Sequence, residues 1–455
     1  MSQLHPAATT IPKPLTGNPE DALLHSVLQQ LDKSQWWSRA QLEQGCLPQL
    51  QRLLQHAKTH SPFYQQRLRQ IDVSSANLEN YVEIPVLNRA QLQAINATID
   101  ADSLPPDHGA PKETMTSGST GAPVRIRGTG VTALLWQAFN LREHMWQQRD
   151  PHQTACSIRW RSDSIGKSAA GIALPDWGAP INQFYKTGPS YYLNSAVDVA
   201  QQKLWLENIR PAYLMSHPSN VAALAELFRR EGSDLPSLLE IRTVGESISL
   251  ELRKLVRDVF SASLTDFYSS QELGYIALQC PQHEHYHVQT ESVLVEVLRE
   301  DGTPCDVHEI GRLVITSLRN YATPLLRYDI GDYGALGEPC SCGRGLPVLH
   351  SINGRVRNML QLPDGNRRWP NFGFQKMMDI AELRQFQLVQ WQPDAIELKL
   401  VVAASPLSPV QEANLQRVLC ESLGYPFHIT ISYHAALPRS AGGKFEDFIS
   451  LISPA

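Results

Sequence analysis

Residues 197–209 read VDVAQQKLWLENI, 219–230 read SNVAALAELFRR, 241–244 read IRTV and 264–268 read LTDFY. The first two stretches are amphipathic runs of helical length, and the last two are short apolar strand candidates. Upstream, residues 132–148 (TALLWQAFNLREHMWQQ) form another helical run, and the alternation of strand-like and helical segments starts near Thr114. Alternation of this kind predicts an α/β fold built in layers, because each amphipathic helix must bury its apolar side on a sheet. Downstream the rhythm changes twice. Residues 292–299 (SVLVEVLR) and 312–317 (RLVITS) are β-rich runs around the turn signal Asp301-Gly302, which predicts a more antiparallel section. After Gly354 two strands, 385–391 and 395–402, flank a turn at Gln392-Pro393-Asp394. A helix over 409–423 and a strand over 427–433 complete a compact α+β unit of ordinary domain size. The expected organisation is therefore a large multi-layer domain of β-sheets and helices over 1–353 and a small α+β domain over 354–455.

At the other end, Leu50, Leu53, Leu54 and Ala57 lie at helical spacing, with Pro48 suited to an early helical position. The first twenty residues are rich in Pro, Thr and Asn and read as a loose arm without the apolar core of a secretory signal. The chain has 455 residues, with 42% hydrophobic and 19% charged residues, as in a globular protein with a full core. A net charge of -5 supplies no global field for nucleic acid or an anionic membrane. No apolar run approaches the roughly 20 residues needed to span a bilayer. Seven scattered cysteines do not form a secreted disulfide framework, so a reducing cytoplasm is the expected location. A monomer or homodimer is equally compatible with this composition.

The sharpest local signal is Thr114-Met115-Thr116-Ser117-Gly118-Ser119-Thr120-Gly121-Ala122-Pro123. Glycines let backbone approach an anion closely, while hydroxyls and exposed N–H groups donate to phosphate oxygens. The Lys-Ser/Thr ending of a Walker loop is missing. A segment of this composition standing alone is more often a surface turn.

Its companions decide between the two. The segment resembles the phosphate loop of the adenylate-forming superfamily, which includes acyl-CoA synthetases and firefly luciferase. Thr265-Asp266-Phe267-Tyr268-Ser269-Ser270-Gln271-Glu272 is similar to that family's next motif, and Arg327-Tyr328-Asp329-Ile330-Gly331-Asp332 to the one after it. Gly354-Arg355 matches the start of the interdomain hinge, and Pro438-Arg439-Ser440-Ala441-Gly442-Gly443-Lys444 the loop of the catalytic lysine. These matches occur in the family's order. The helical stretch from Leu53 to Tyr64 is similar to a signature of the phenylacetate–CoA ligase-like branch, so the resemblance covers nearly all of the chain after residue 30.

The resemblance implies ATP-dependent activation of a small carboxylic acid, aryl or short, to an acyl-adenylate, followed by transfer to coenzyme A. Transfer to a carrier-protein thiol or an amine is the nearest alternative, and a non-catalytic nucleotide-binding homologue is a further one. It assigns Thr116, Ser117, Gly118, Ser119, Thr120 and Gly121 to the β- and γ-phosphates of ATP. Glu272 falls on magnesium, a hard cation that prefers oxygen ligands. Tyr268 falls on adenine with Ser269 and Gln271 beside it, Asp332 on the ribose hydroxyls, and Gly245-Glu246 beside the nucleotide and acyl pocket. Arg355 belongs to the hinge, where Val356-Arg357-Asn358 replaces the family's acidic residues. Lys444 would place its ammonium near the α-phosphate and the substrate carboxylate. Trp160, Tyr213, Ser216, His217 and Phe267 are acyl-pocket candidates whose aromatic character suits a flat apolar acid. Arg159 and Arg161 leave open a polar acid or a solvated strand end.

Cys280, Cys340 and Cys342 form a second constellation with the His-rich stretch after Cys280. Three sulfurs and one imidazole suit tetrahedral zinc, and four protein ligands would make it structural. Some members of the same branch carry such a site, and their spacing favours His287 as the fourth ligand, with His283 and His285 as alternatives. The competing reading is a set of buried thiols with surface histidines. No basic stripe with interleaved aromatics accompanies the cysteines, so a nucleic-acid module is not expected.

Overall fold

The computed structural model describes residues 11–115, 123–161, 163–402, 406–438 and 445–452. The chain divides into two compact units, each assembled from separated stretches: Met1–Ala155, Ala173–Tyr191 and Thr265–Ile352 in one, Cys156–Ile172, Tyr192–Leu264 and Asn353–Ala455 in the other. It is mixed α/β, as the alternation predicts.

The first unit opens with the helices Pro19–Ser34 and Arg39–His60. Ser38 starts the second of these through a capping box with Gln41, so the helix begins well before Pro48, which lies inside it. Pro48 is therefore a mid-helix residue and not an early one. Leu50, Leu53, Leu54 and Ala57 are fully buried, as their spacing requires, in a core with Tyr64, Ile315 and Tyr328. That core backs a largely antiparallel sheet. Its strands run in the order Phe267–Ser270, Gly274–Gln279, Tyr286–Val288, Val348–Arg355, Tyr328–Leu336, Gly311–Ser317 and Val293–Leu298. The two β-rich runs around Asp301-Gly302 pair antiparallel from Val293↔Ser317 to Leu298↔Arg312.

The helix Gly130–Trp146 is tied into this unit by Arg142, which is 3% exposed. Its guanidinium donates to Gln289 Oε1 at 2.7 Å and to Glu291 Oε1 at 2.8 Å, and also reaches the Leu31 carbonyl. Ser34 Oγ donates to the same Glu291 oxygen at 2.7 Å. Burial acts to raise the Glu291 pKa, but the charge and hydrogen bonds of Arg142 outweigh it and hold the carboxyl below its ordinary range. The pair thus adds stability above the ordinary Glu pKa of 4.5, and that contribution fades as pH falls through the depressed value. Arg142→Leu, which strands Glu291, should cost about 3–5 kcal/mol in urea unfolding at pH 7, and less at pH 4. An equal loss at both pH values would count against the pairing.

In the second unit the strands Tyr213–Ser216 and Glu240–Thr243 pair in parallel, from Tyr213↔Glu240 to Ser216↔Thr243. They are joined by the helix Pro218–Glu231, whose buried face includes Val221, Leu224, Ala225 and Phe228. Residues 264–268, read as one strand, instead form two, Ser263–Thr265 and Phe267–Ser270, in different sheets. From residue 383 the chain forms a four-stranded sheet ordered His428–Tyr433, Ala395–Val402, Leu383–Gln392 and Phe448–Ser450. The helix Pro409–Leu423 covers it, with Leu415, Leu419, Leu388, Ile396 and Leu398 all fully buried between them. Among the described residues no helix is long and apolar enough to cross a membrane.

Candidate active site

Three of the residues singled out by sequence lie in the first unit, and two of them, Tyr268 and Asp332, meet there. Tyr268 sits on the strand Phe267–Ser270, whose register with Gly274–Gln279 shifts between Tyr268 and Ser269. Such an irregularity re-aims side chains near a sheet edge. Tyr268 Oη donates to Asp332 Oδ2 at 2.7 Å, joining residues 64 positions apart. Asp332 belongs to the strand Tyr328–Leu336, just after Gly331, whose φ of +84° turns the backbone through a region that favours glycine. Asp329 Oδ1 accepts the Gly331 N–H at 2.9 Å and fixes that turn. Glu272 lies beyond the end of the Tyr268 strand, is 8% exposed, and accepts Arg89 Nη1 on Oε1 at 3.0 Å. A buried carboxylate with one oxygen on arginine can offer the other to a hard cation, so the chemistry of magnesium fits this residue. Arg89 is a contributor that sequence alone does not single out, because 183 positions separate it from its partner. Ser269 is half-buried and Gln271 exposed beside Glu272. Phe267 is buried against Tyr275, with ring centroids 5.1 Å apart.

In the second unit Gly245 and Glu246 follow the strand Glu240–Thr243, and Gly245 has a φ of +83°. Glu246 is engaged by protein groups. Its Oε2 accepts the backbone N–H of Ser219 at 2.8 Å, near the start of the helix Pro218–Glu231, and Oε1 accepts Ser219 Oγ at 3.1 Å. A carboxylate at a helix N-terminus is stabilised by the unsatisfied N–H groups there. Oε1 also accepts the backbone N–H of Phe445 at 2.8 Å, 199 positions away and adjacent in sequence to Lys444.

Of the acyl-pocket candidates here, Ser216 is fully buried; its hydroxyl donates to the Ile158 carbonyl at 2.7 Å and accepts from Asn220 at 3.1 Å. His217 contacts the Val244 carbonyl through Nδ1 at 2.9 Å. Trp160 and Tyr213 are half-buried. Arg161 pairs with Asp163 at 2.5 Å with both side chains nearly half exposed, the arrangement of a solvated strand end. At the expected hinge, Gly354 has a φ of +90°, and a Cβ there would lie 3.2 Å from Ser247 Oγ. Arg355 ends the strand Val348–Arg355 and donates its backbone N–H to Asn358 Oδ1 at 3.3 Å. Arg357, standing where the family has acidic residues, pairs with Glu446 at 2.6 Å. The phosphate-loop residues Thr116, Ser117, Gly118, Ser119, Thr120 and Gly121, and Lys444 with its loop from Arg439, lie outside the described residues.

The cysteines and histidines converge in the first unit. Ligand atoms of Cys280, His285, His287 and Cys340 all lie within 4.8 Å of one another. Cys342 Sγ joins them 3.3 Å from His287 Nε2, and the Cys280 and Cys340 sulfurs are 3.8 Å apart. The backbone N–H of Cys342 points at Cys340 Sγ at 3.4 Å, the fold of a tight knuckle. A hydrogen bond from Cys280, then one from His287, pull the Cys342 thiol well below its ordinary pKa, and the same interaction drives Cys280 up. Arg344 adds positive charge at the Cys342 sulfur, 3.7 Å away, and is held over the Trp36 and Trp146 rings at 4.8 and 4.4 Å. His285 Nε2 is buried without a hydrogen-bond partner. An orphaned imidazole nitrogen among three thiols fits a thiophilic metal, which would take both without desolvation cost. His283 instead contacts Ser341 Oγ at 2.9 Å on the surface.

No family model matches the chain. A phenylacetate–coenzyme A ligase of Thermus thermophilus is 28% identical over 280 residues, which cover 55% of this chain and 63% of that protein. The match therefore spans less than two thirds of that relative. Among solved structures, 2-hydroxyisobutyryl-CoA ligase in the postadenylation state in complex with R3-HIB-AMP superposes with a TM-score of 0.70 at 18% identity, covering 92% of this chain and 91% of that one. An open conformation of the same ligase in complex with 2-HIB-AMP and CoA gives 0.56 at 18% identity, with 90% and 92% covered. These likenesses establish the fold.

Proposed function

We propose that the chain is an adenylate-forming enzyme that activates a small carboxylic acid with ATP and passes the acyl group to coenzyme A. The observation that carries this reading is the Tyr268–Asp332 hydrogen bond of 2.7 Å, which unites two residues assigned independently to the nucleoside. A substrate carboxylate oxygen attacks the α-phosphorus, the bond to the bridging oxygen breaks, and pyrophosphate leaves. The coenzyme A thiol then attacks the acyl carbon, loses its proton to solvent, and releases AMP. Both steps bring anions or electron-rich groups together, so their barrier is electrostatic and positional.

In this reading Asp332 accepts the ribose hydroxyls while Tyr268 Oη braces its other side, and the Tyr268 ring lies against adenine. Glu272 would hold magnesium, which supplies positive charge beside the phosphates when bound. The loop from Thr116 to Gly121 receives the β- and γ-phosphates. Lys444 neutralises charge that develops at the α-phosphate, and residues 354–455 act as the mobile domain that delivers it, turning at Gly354-Arg355. Glu246, besides lying beside the nucleotide in this reading, holds the Phe445 N–H and Ser219 and so anchors the chain just after Lys444. Glu246→Ala should slow adenylation about 10-fold through misplacement of the Lys444 loop. Glu246→Gln, which keeps an acceptor oxygen, should recover part of the rate; equal loss in both would point to a charge effect on substrate instead.

Cys280, His287 and Cys340, with Cys342 or His285 completing the set, would hold a structural zinc whose closed shell leaves no place for water. The test of the activity is a carboxylic-acid panel scored by pyrophosphate exchange into ATP. One aryl or short acid should give a strong signal, and coenzyme A should then release AMP. No exchange with any acid, despite ATP binding, would favour a non-catalytic homologue. Exchange without AMP release on adding coenzyme A would move the acceptor to a carrier thiol or an amine.

A further inference from the structure

Away from the residues discussed so far, the first unit contains a cleft of about 480 Å³ between the last turns of the helix Arg39–His60, the turn Pro106–His108 and the segment 319–321. Its charge is unbalanced. Arg52 and Arg319 both line it, together with His56, His108 and Tyr321, and Asp107 is the sole carboxylate among the lining residues. Each guanidinium is oriented through Nε, Arg319 by donating to the Glu291 carbonyl at 3.1 Å and Arg52 to the Pro48 carbonyl at 3.1 Å. Among the described residues neither arginine makes an ion pair, and their Nη groups have no hydrogen-bond partner. His108 is 9% exposed, and its Nδ1 is buried with no partner either. The rings of His56 and His108 each pack against Tyr321, with centroids 4.8 and 4.6 Å apart, giving the cleft an aromatic wall.

We propose that this cleft is an anion site that takes a phosphate dianion, either inorganic or carried as a monoester. Two guanidiniums lining one cleft, with a single carboxylate, Asp107, beside them, leave an excess of positive charge, and burial together with Arg52 weakens proton retention on Arg319. A tetrahedral oxyanion balances that excess. Its oxygens match the fork geometry of the guanidinium Nη groups, and one can accept the otherwise unanswered His108 N–H when Nδ1 carries the proton. The volume exceeds that of bare phosphate and leaves room for a substituent against the aromatic wall.

Equilibrium dialysis of inorganic phosphate against the full chain tests this. Saturable binding should weaken at least 10-fold in the Arg52→Gln/Arg319→Gln double variant, while AMP affinity stays unchanged; unchanged phosphate binding in that variant would overturn the proposal. Should the double variant not fold, phosphate titration of the parent decides. A saturable shift of the His108 ring resonance, identified through His108→Asn, supports the site, and no such shift overturns it. Competition separates the two sources: displacement of phosphate by coenzyme A but not by dephospho-coenzyme A identifies a phosphomonoester, and displacement by neither identifies free phosphate. None of these readouts requires adenylation, so failure here is distinct from failure of the proposed reaction.

Discussion

Replacing Lys444 by alanine should lower acid-dependent pyrophosphate exchange by roughly 100- to 1,000-fold, the range for removing one charge-stabilising group from a reacting centre. The affinity for ATP should change little. The reason lies in where the charges are. In the proposed reaction the 116–121 loop and magnesium would hold the triphosphate in the ground state, and Tyr268 and Asp332 the nucleoside. The lysine ammonium matters most when the carboxylate closes on the α-phosphorus and negative charge concentrates there. An interaction that strengthens only at that point lowers the barrier without tightening binding. Exchange rates and equilibrium ATP binding, measured side by side on parent and variant, separate the two. A variant as fast as the parent would remove Lys444 from the mechanism, and a variant that lost ATP binding in proportion would recast it as a nucleotide anchor.

Removing the proposed zinc from the Cys280, His287, Cys340 and Cys342 cluster should be among the largest perturbations of stability. The cluster connects the strand Tyr286–Val288 to the knuckle after residue 339, and through Arg344 to Trp36 and Trp146 near the N-terminal helices. Metal that binds only the folded chain stabilises it by mass action, by about 4 kcal/mol at a thousand times its Kd. For a unit of this size that corresponds to roughly 10 °C in Tm. Purified protein should contain one zinc per chain, and both Cys280→Ser and a strong chelator should remove it and lower Tm by that amount. The reaction, by contrast, should not require zinc chemistry, because a closed shell offers no site to substrate. Metal-free protein with a Tm indifferent to chelator would leave the cluster as buried thiols.

Much of the fold is legible in the sequence because apolar spacing reports burial directly. The run at Leu50, Leu53, Leu54 and Ala57 is buried as its period demands, and the helix Pro409–Leu423 has the expected limits. The misreadings have physical causes. Pro48 resembles a helix start, but the Ser38/Gln41 capping box acts earlier, and the helix tolerates an exposed proline in its interior. Residues 264–268 look continuous, yet the backbone leaves one sheet at Thr265 and joins another at Phe267. Tyr268 and Asp332, read from two separate short motifs, are joined in the structure. Partnerships across the chain were not legible: nothing local announces that Arg89 will pair with Glu272, or that Glu246 will hold Phe445. The cysteine cluster is intermediate. Residue types reveal a thiophilic site, whereas the choice of imidazole depends on alternation, since His285 and His287 are two apart and so face the same side where the strand begins.

In the proposed reaction ATP is cleaved between its α- and β-phosphates by attack of a carboxylate. Quenched reactions with ATP labelled at the α-phosphorus, run with the best acid of the panel, measure this directly. Acid-dependent label should appear in an acyl-adenylate and pass to AMP when coenzyme A is added, with pyrophosphate formed in equal amount. Label appearing in ADP, or AMP formed at the same rate without acid, would contradict the proposed reaction.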